Sequence, residues 1–257
     1  MDLKQIVFLG SKEIGYDTFN YLIQNSNQLK CEIVAVLTNN RSLNTDNKKS
    51  IHDLATSNHI PVLSNPDELL DLKSYDYLIS VQYHKILKQK HIDTAQELAI
   101  NLHMAPLPEY RGCNQFSFAI IDEIQEFGTT LHVLDAGIDS GDILFESRFP
   151  VESNETVVSL YKKTLEQSIQ LFEQKISNIL NGNYTRTPQK QLHTLRAHNF
   201  HLRDEIHQIK QIDPNWSEEK IDRYVRATYF PPFPPPFFVK NGKKIELSLD
   251  WRNQIKS

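Results

Sequence analysis

Cysteine is scarce in this chain of 257 residues: there are two, Cys31 and Cys113, in unrelated segments. That count rules out a disulfide framework or a cysteine-based zinc site as the organising principle, and it fits a reducing compartment. Long apolar runs are missing too. Ile6-Val7-Phe8-Leu9 stops at Gly10, too short a run for a secretory signal or a membrane span. The expectation is a soluble, cytoplasmic protein with no membrane partner. There is no excess of positive charge either, since 28 lysines and arginines face 32 aspartates and glutamates, a net charge of −4. Nucleic-acid binders draw most of their affinity from neutralising phosphates. The densest basic runs, Lys48-Lys49 and Lys243-Lys244, are too short to form such a stripe, so no nucleic-acid partner is expected. The ten histidines show no ligand spacing, and His198-x-x-His201 reads as polar surface. No metal is expected. After the first apolar run, Gly10-Ser11-Lys12 lacks the G-x-G-x-x-G fingerprint, which argues against NAD. A turn into a helix N-terminus can still hold a phosphate, so Gly10, Ser11 and Lys12 are candidate substrate contacts.

What is present is ordinary for a globular chain, with 39% hydrophobic and 23% charged residues. The length can bury a full core and predicts one domain plus an appendage. Ile6–Leu9, Cys31–Leu37, Pro61–Leu63, Tyr77–Val81 and Ala99–His103 read as strands, with helices starting near Ile14 and Ile51 between them. The polar stretch 41–50 reads as a surface loop. This alternation predicts a doubly wound α/β fold with a mostly parallel sheet. Thr129–Leu134 and Phe145–Val151 add further strands. From Asn154 to Leu180 the apolar spacing is helical, with Ser153 or Asn154 as cap, Glu155 suiting the positive end of the dipole, and Asn181-Gly182-Asn183 as the stop. The division expected is a catalytic domain at 1–190 and a C-terminal extension at 191–257. The extension contains a helix capped by Ser217, the aromatic and proline-rich run Tyr229–Phe238, and a hairpin turning at Asn241-Gly242.

Two segments carry chemistry. In a strand, residues two apart share a face, so Asn101 and His103 project together at the mouth of a parallel sheet, where ligands bind. An amide can donate to a developing oxyanion and an imidazole can move a proton near neutrality. The same pair could equally be hydrogen-bonded structure. The segment 135–143 holds three carboxylates, Asp135, Asp139 and Asp142, and two glycines. It reads either as a solvated loop or as one that brings a carboxylate to the imidazole to orient it. A calcium loop is disfavoured, because the twelve-residue ligand spacing and its terminal glutamate are missing.

Asn101-Leu102-His103, Pro106–Gly112, Gly128–His132 and Gly137–Asp142 together resemble the core of the 10-formyltetrahydrofolate-dependent formyltransferases, with their Rossmann-like domain. That family includes the glycinamide ribonucleotide, methionyl-tRNA and nucleotide-linked amino-sugar enzymes. The resemblance covers about residues 1 to 180 and is densest between Tyr77 and Pro150. It implies that Asn101, His103 and Asp139 form a catalytic triad, and that 10-formyltetrahydrofolate is the cosubstrate. Its pterin would lie against the main chain of Ser80–Leu87, with Tyr83, Lys85, Ile86 and Leu87 on one side and Leu134, Asp135 and the loop to Asp142 on the other. Ile86 and Leu87 could instead be plain core, and Lys85 could reach a substrate phosphate.

Arg226–Phe233 resembles the tail motif of the bacterial sugar N-formyltransferases. That implies faces for a nucleobase at Tyr229 and Phe230 and a fork for phosphate at Arg226. Aromatic cover over the core and a polyproline ligand are the other readings of this run. The implied acceptor is a nucleotide-linked amino-deoxysugar, foremost dTDP-4-amino-4,6-dideoxyglucose, for O-antigen or lipopolysaccharide synthesis. Behind it stand dTDP-3-amino sugars, GDP-perosamine and glycinamide ribonucleotide, then a formyltetrahydrofolate hydrolase and a non-catalytic folate or nucleotide binder. A tRNA acceptor is disfavoured, because too little chain follows the core for the family's RNA-binding β domain. The hairpin is expected to build a homodimer.

Overall fold

The structure, a computed structural model, describes residues 3–39 and 49–256. The stretch expected as a loop at 41–50 therefore lies outside the described residues up to 48, as does Lys48. In chain order the elements are β1 (Lys4–Gly10), α1 (Lys12–Gln24), α2 (Ser26–Leu29), β2 (Cys31–Thr38), α3 (Ile51–Ser57), β3 (Val62–Leu63), β4 (Tyr75–Val81), α4 (Gln89–Ile92), β5 (Ala95–His103), β6 (Tyr110–Gly112), α5 (Gln115–Ile121), β7 (Glu126–Val133), β8 (Ile143–Pro150) and α6 (Val157–Leu180). The last third adds β9 (Asn199–His201), α7 (Glu205–Ile209), α8 (Glu218–Thr228), β10 (Phe237–Lys240), β11 (Lys243–Glu246) and α9 (Trp251–Lys256).

Seven of these strands form one sheet in the order β3-β2-β1-β4-β5-β7-β8. The first five run parallel, whereas β7 is antiparallel to both β5 and β8. The doubly wound, mostly parallel architecture is thus the observed one. Strands covered on both faces must be apolar throughout, and Ile6, Val7, Phe8 and Leu9 are all completely buried. Their side chains alternate between two clusters. Ile6 and Phe8 pack with Phe19, Leu22, Phe172 and Ile176 on the α1/α6 side, and Val7 and Leu9 pack with Tyr75, Leu78 and Leu87 on the other.

Helix α6 covers the first of these faces with Leu171, Phe172, Ile176, Ile179 and Leu180. Its cap differs from the expectation. The chain stays extended through Thr156, whose hydroxyl accepts from Ser159 N at 3.1 Å, so Thr156 is the cap, and neither Ser153 nor Asn154 is. Glu155 precedes the cap and binds the Ser159 hydroxyl and Lys163. Asn181 closes the helix, and Gly182 follows with φ +71°.

In the C-terminal extension, Ser217 caps α8 by accepting from Lys220 N at 3.3 Å. Asn241 (φ +51°) and Gly242 (φ +74°) make the tight turn between β10 and β11. The twist of such a hairpin demands positive φ at both turn residues. Ile212, Ile221, Val225, Phe238, Leu247 and Trp251 form a core of their own here. Among the described residues no helix is long and apolar enough to cross a membrane.

Removing the α6 cap should lower stability by about 1 kcal/mol. Urea unfolding of Thr156→Ala should show this loss with an unchanged slope, while Asn154→Ala should unfold like the wild type.

Candidate active site

The carboxyl ends of β1, β4 and β5 lie side by side, with Gly10 paired to Val81 and Ser80 to Asn101. Strand order reverses between β1 and β4, and open α/β sheets offer a crevice at such a point. The antiparallel partner β7 then sets Asn101 opposite His132 and His103 opposite Thr130. A period of two on each strand brings Asn101, His103 and His132 to one place.

Asp139 completes the group. Its Oδ1 lies 3.5 Å from His103 Nδ1 and 3.7 Å from His132 Nε2. These are ion-pair separations, longer than hydrogen bonds. The hydrogen bonds that fix the rings come from elsewhere. His103 Nε2 lies 2.8 Å from the Tyr110 carbonyl, which can only accept, so this nitrogen carries the proton. A neutral His103 therefore presents its lone pair at Nδ1, beside Asp139. The Tyr110 carbonyl thus holds one nitrogen of the ring, and the Asp139 carboxylate lies beside the other.

His132 Nδ1 lies 2.8 Å from the Val133 carbonyl and Nε2 lies 3.1 Å from Asn101 Nδ2. By the same logic Nδ1 is protonated, and Nε2 accepts from the Asn101 amide. That bond decides which end of the Asn101 carboxamide is nitrogen. Burial pushes the His132 imidazole down to about 4, against the opposing pull of Asp139. Burial acts to raise the Asp139 carboxyl, but His103, His132, the Gly112 N–H and Arg111 outweigh it and hold the group below the ordinary carboxylate range.

The loop 135–142 is shaped to present this carboxylate. Asp139 has φ +50°, a conformation that costs a non-glycine residue about 1–2 kcal/mol. Its Oδ2 accepts from Gly112 N at 2.9 Å, and Arg111 donates Nε and Nη2 to the preceding carbonyl of Ile138 at 3.0 and 2.9 Å. Asp135 folds the loop on itself by accepting from Gly137 N at 3.1 Å and from the Ser140 hydroxyl at 2.7 Å. At Gly141 a Cβ would sit 1.9 Å from the Val133 carbonyl, so only glycine fits there. Asp142 gives its carbonyl to Val133 N.

The other expected contacts divide. Leu87 is part of one apolar cluster, and Tyr83 and Leu134 both pack against it. Lys85 is exposed and Ile86 is 74% exposed, as are Ala136, Gly137 and Ile138. Ile86 is therefore not core. Gly10 sits against the Phe8 ring, where a Cβ would come within 2.4 Å. The Ser11 hydroxyl turns inward to the Gln82 carbonyl and is not presented to a ligand. Lys12 reaches Gln82 Oε1 at 2.9 Å. Its ammonium is held below its ordinary value, chiefly by the surrounding protein and next by the Arg203 guanidinium.

Arg226 does not form an open phosphate fork. It donates Nε to Asp222 at 2.8 Å and Nη1 to the Glu155 carbonyl at 2.6 Å, tying α8 to the start of α6. Tyr229 packs on the C-terminal core. The Phe230 ring lies 5.5 Å from Tyr161, which in turn feels the Glu13 carboxylate in the first turn of α1.

His201 is likewise no surface residue. Its ring stacks on Phe118 at 3.6 Å, and Nδ1 lies 2.9 Å from Glu205, because β9 pairs with β6. Sequence reasoning also missed His132, Arg111, Gln189 and the Tyr110 carbonyl. Tyr110, Arg111 and His132 lie inside the segments that carry the family resemblance, and pairing the apolar strands about Asn101 sets His132 opposite it; Gln189 had no signal. Among the described residues no cluster of three or more metal-ligating side chains occurs.

Fold and site define a class. The chain belongs to the formyl transferase family, whose profile matches residues 4–176. It is similar to the GDP-perosamine N-formyltransferase of Brucella melitensis, 33% identical over 168 residues, which is 65% of this chain and 62% of that enzyme. The match thus spans less than two thirds of that relative's length. It is also 25% identical over 254 residues to the methionyl-tRNA formyltransferase of Geobacter sulfurreducens, covering 95% of this chain and 77% of that enzyme. Among solved structures, the N-formyltransferase from Helicobacter canadensis, in complex with folinic acid and dTDP-3-aminofucose, superposes with a TM-score of 0.76. It is 26% identical, over 95% of this chain and 86% of that one.

The depressed His132 has a measurable consequence. Between its ordinary value of 6.5 and about 4, the unfolded chain binds a proton that the folded chain refuses. Stability therefore falls as pH drops through this window. The Asp139 contribution, being held below the carboxylate range, is lost only at lower pH. His132→Gln keeps an acceptor for Asn101, and should flatten the loss of urea midpoint between about pH 7 and about pH 4.5. An equally steep loss in the variant would show that His132 does not titrate this way.

Proposed function

We propose that this protein transfers the formyl group of 10-formyltetrahydrofolate to the amine of a nucleotide-linked amino-deoxysugar. The observation that carries the reading is the convergence of Asn101, His103 and Asp139 near two segments with exposed residues, Lys85 and Ile86 in one and Ala136, Gly137 and Ile138 in the other. Those segments, 83–87 and 134–139, fit a flat heterocycle that main-chain donors and acceptors could hold by its edge. The chemistry of the donor set fits as well, with an amide N–H, an imidazole and a carboxylate but no thiolate.

The folate supplies an acyl carbon whose oxygen gains negative charge as an amine adds to it. Around that carbon the chain's own residues have distinct tasks. Asn101, with one N–H spent on His132, offers the other to the developing oxyanion. Losing such a donor typically costs about 10²–10³ in rate. His103 takes the amine proton at Nδ1, because Nε2–H is committed to the Tyr110 carbonyl. Asp139 stabilises the imidazolium so formed, and His103 then carries that proton to the departing folate nitrogen.

The acceptor reading rests on the sugar N-formyltransferase relatives and on a cationic corner. The Arg203 guanidinium acts on the Lys12 ammonium at the start of α1, and Phe230 offers an aromatic ring packed on Tyr161. A diphosphate fits between such cations, and a base fits against such a ring. The first acceptor in our proposal is dTDP-4-amino-4,6-dideoxyglucose, used for O-antigen or lipopolysaccharide assembly in the cytoplasm. The β10–β11 hairpin, with Val239 half exposed, is proposed to join two copies as a homodimer. Hydrolysis of the folate is the second enzymatic reading, in which water takes the place of the amine.

A panel of dTDP- and GDP-linked amino sugars, glycinamide ribonucleotide and methionyl-tRNA, each with 10-formyltetrahydrofolate, tests the proposal by mass spectrometry. Gain of one formyl group on an amino sugar, and on neither other acceptor, is expected. Tetrahydrofolate release that needs no acceptor would establish the hydrolase instead. Formylated tRNA would replace the acceptor class.

A further inference from the structure

The loop that carries Asp139 is gripped from outside by a residue distant in sequence. Thr187 pairs with Ile143 through two backbone hydrogen bonds of 2.9 Å, which brings the chain after α6 alongside the loop. Two residues on, the Gln189 side chain is buried, at 5% exposure. Its Nε2 donates to two carbonyls, Asp139 O and Gly141 O, each at 2.8 Å. A primary amide has two such hydrogens, and both are used on this one loop. Burying an amide is unfavourable unless its hydrogen bonds are made, whereas an apolar side chain of similar size would fill the space without that cost. A polar group at position 189 therefore reflects what the loop requires.

We infer that Gln189 is a positioning residue for the transfer reaction, setting the direction of the Asp139 carboxylate; this rests on the formyl-transfer reading above. Asp139 holds a positive φ, and a backbone in that region persists only where its surroundings fix it. Three groups do so here: Gly112 N–H on the carboxylate, Arg111 on the Ile138 carbonyl, and Gln189 on the carbonyl of Asp139 itself. Of these, only Gln189 also spans Asp139 and Gly141, and so fixes the plane of the peptide that follows Asp139. The far end of the loop cannot take up a shift, because Gly141 already lies hard against the Val133 carbonyl. Loss of the Gln189 amide therefore acts on Asp139, and through it on the charge beside His103 Nδ1.

The test uses Gln189→Leu in the full chain, with Gln189→Met in its place if the leucine variant is unstable. A misplacement of about 1 Å can cost about 10²-fold in rate. We expect kcat to fall about 10- to 100-fold, with KM for folate and acceptor changed less than about threefold. In an Asp139→Asn background the same substitution should cost less than about twofold more, because the two residues act as one unit. The Gly112 amide proton, hydrogen-bonded to Asp139, should move upfield in the NMR spectrum of the variant.

Full kcat in the variant would overturn the inference. So would an equal loss in the Asp139→Asn background, which would mark a general structural role. If the wild type formylates none of the acceptors, the function reading fails by itself. The Gly112 resonance still decides the positioning role, and an unshifted signal in the variant overturns it.

Discussion

One carboxylate placed between two buried imidazoles is the constraint on which the rest of the site depends. At about 4 Å and an effective dielectric of about 20, a unit charge acts on another with about 4 kcal/mol. Asp139 lies 3.5 Å from His103 and 3.7 Å from His132, and its charge opposes the burial that holds His132 neutral. The two rings answer differently because their environments differ. His132 is enclosed and spends both nitrogens on neighbours, so it stays neutral and serves as an acceptor that orients Asn101. His103 spends one nitrogen on a carbonyl and keeps the other beside the carboxylate. A ring that orients an amide and a ring that keeps one nitrogen beside a carboxylate are thus made from the same residue type. Divergent environments of paired titratable groups are a general route to such a division of labour.

Each layer of the fold serves that placement. The parallel strands end together and open the crevice, and the antiparallel turn of β7 delivers His132 opposite Asn101. The loop after β7 then crosses back with Asp139 in a left-handed conformation, secured by β6 through Gly112 and Arg111. β6 is itself held by β9, whose His201 carbonyl accepts from Cys113 N at 2.9 Å. The segment 187–205 therefore backs β6 and the loop that carries Asp139, although it follows the long helix that ends the matched family domain.

Much of this was legible in the sequence, for identifiable reasons. A fully buried strand such as Ile6–Leu9 declares itself as a continuous apolar run, and Asn241-Gly242 marks a turn whose positive φ values few other pairs supply. Asn101 and His103 follow from a period of two. Asp139 was different. Three carboxylates share its loop, and family resemblance, not spacing, singled it out. What stayed hidden depends on long-range pairing. The three-residue strands β6 and β9 carry too little periodicity to be seen, so His201 read as surface and Gln189 had no signal. Arg226 looked like a phosphate fork because its partners, Asp222 one helical turn back and a carbonyl 71 residues away, appear only when α8 docks on α6. The α6 cap was misplaced by two residues, because Ser153, Asn154 and Thr156 are all good caps and only the extended backbone at 156 decides among them.

The most direct test of the central claim is single-turnover formyl transfer by His103→Asn, measured beside its binding of a stable formyltetrahydrofolate analogue. Asparagine keeps a polar side chain beside Asp139 but cannot take a proton there. General-base catalysis contributes about 10²–10⁴ in rate. The account predicts a loss of that size with binding changed less than about threefold. Transfer at close to the wild-type rate, with binding intact, would contradict it.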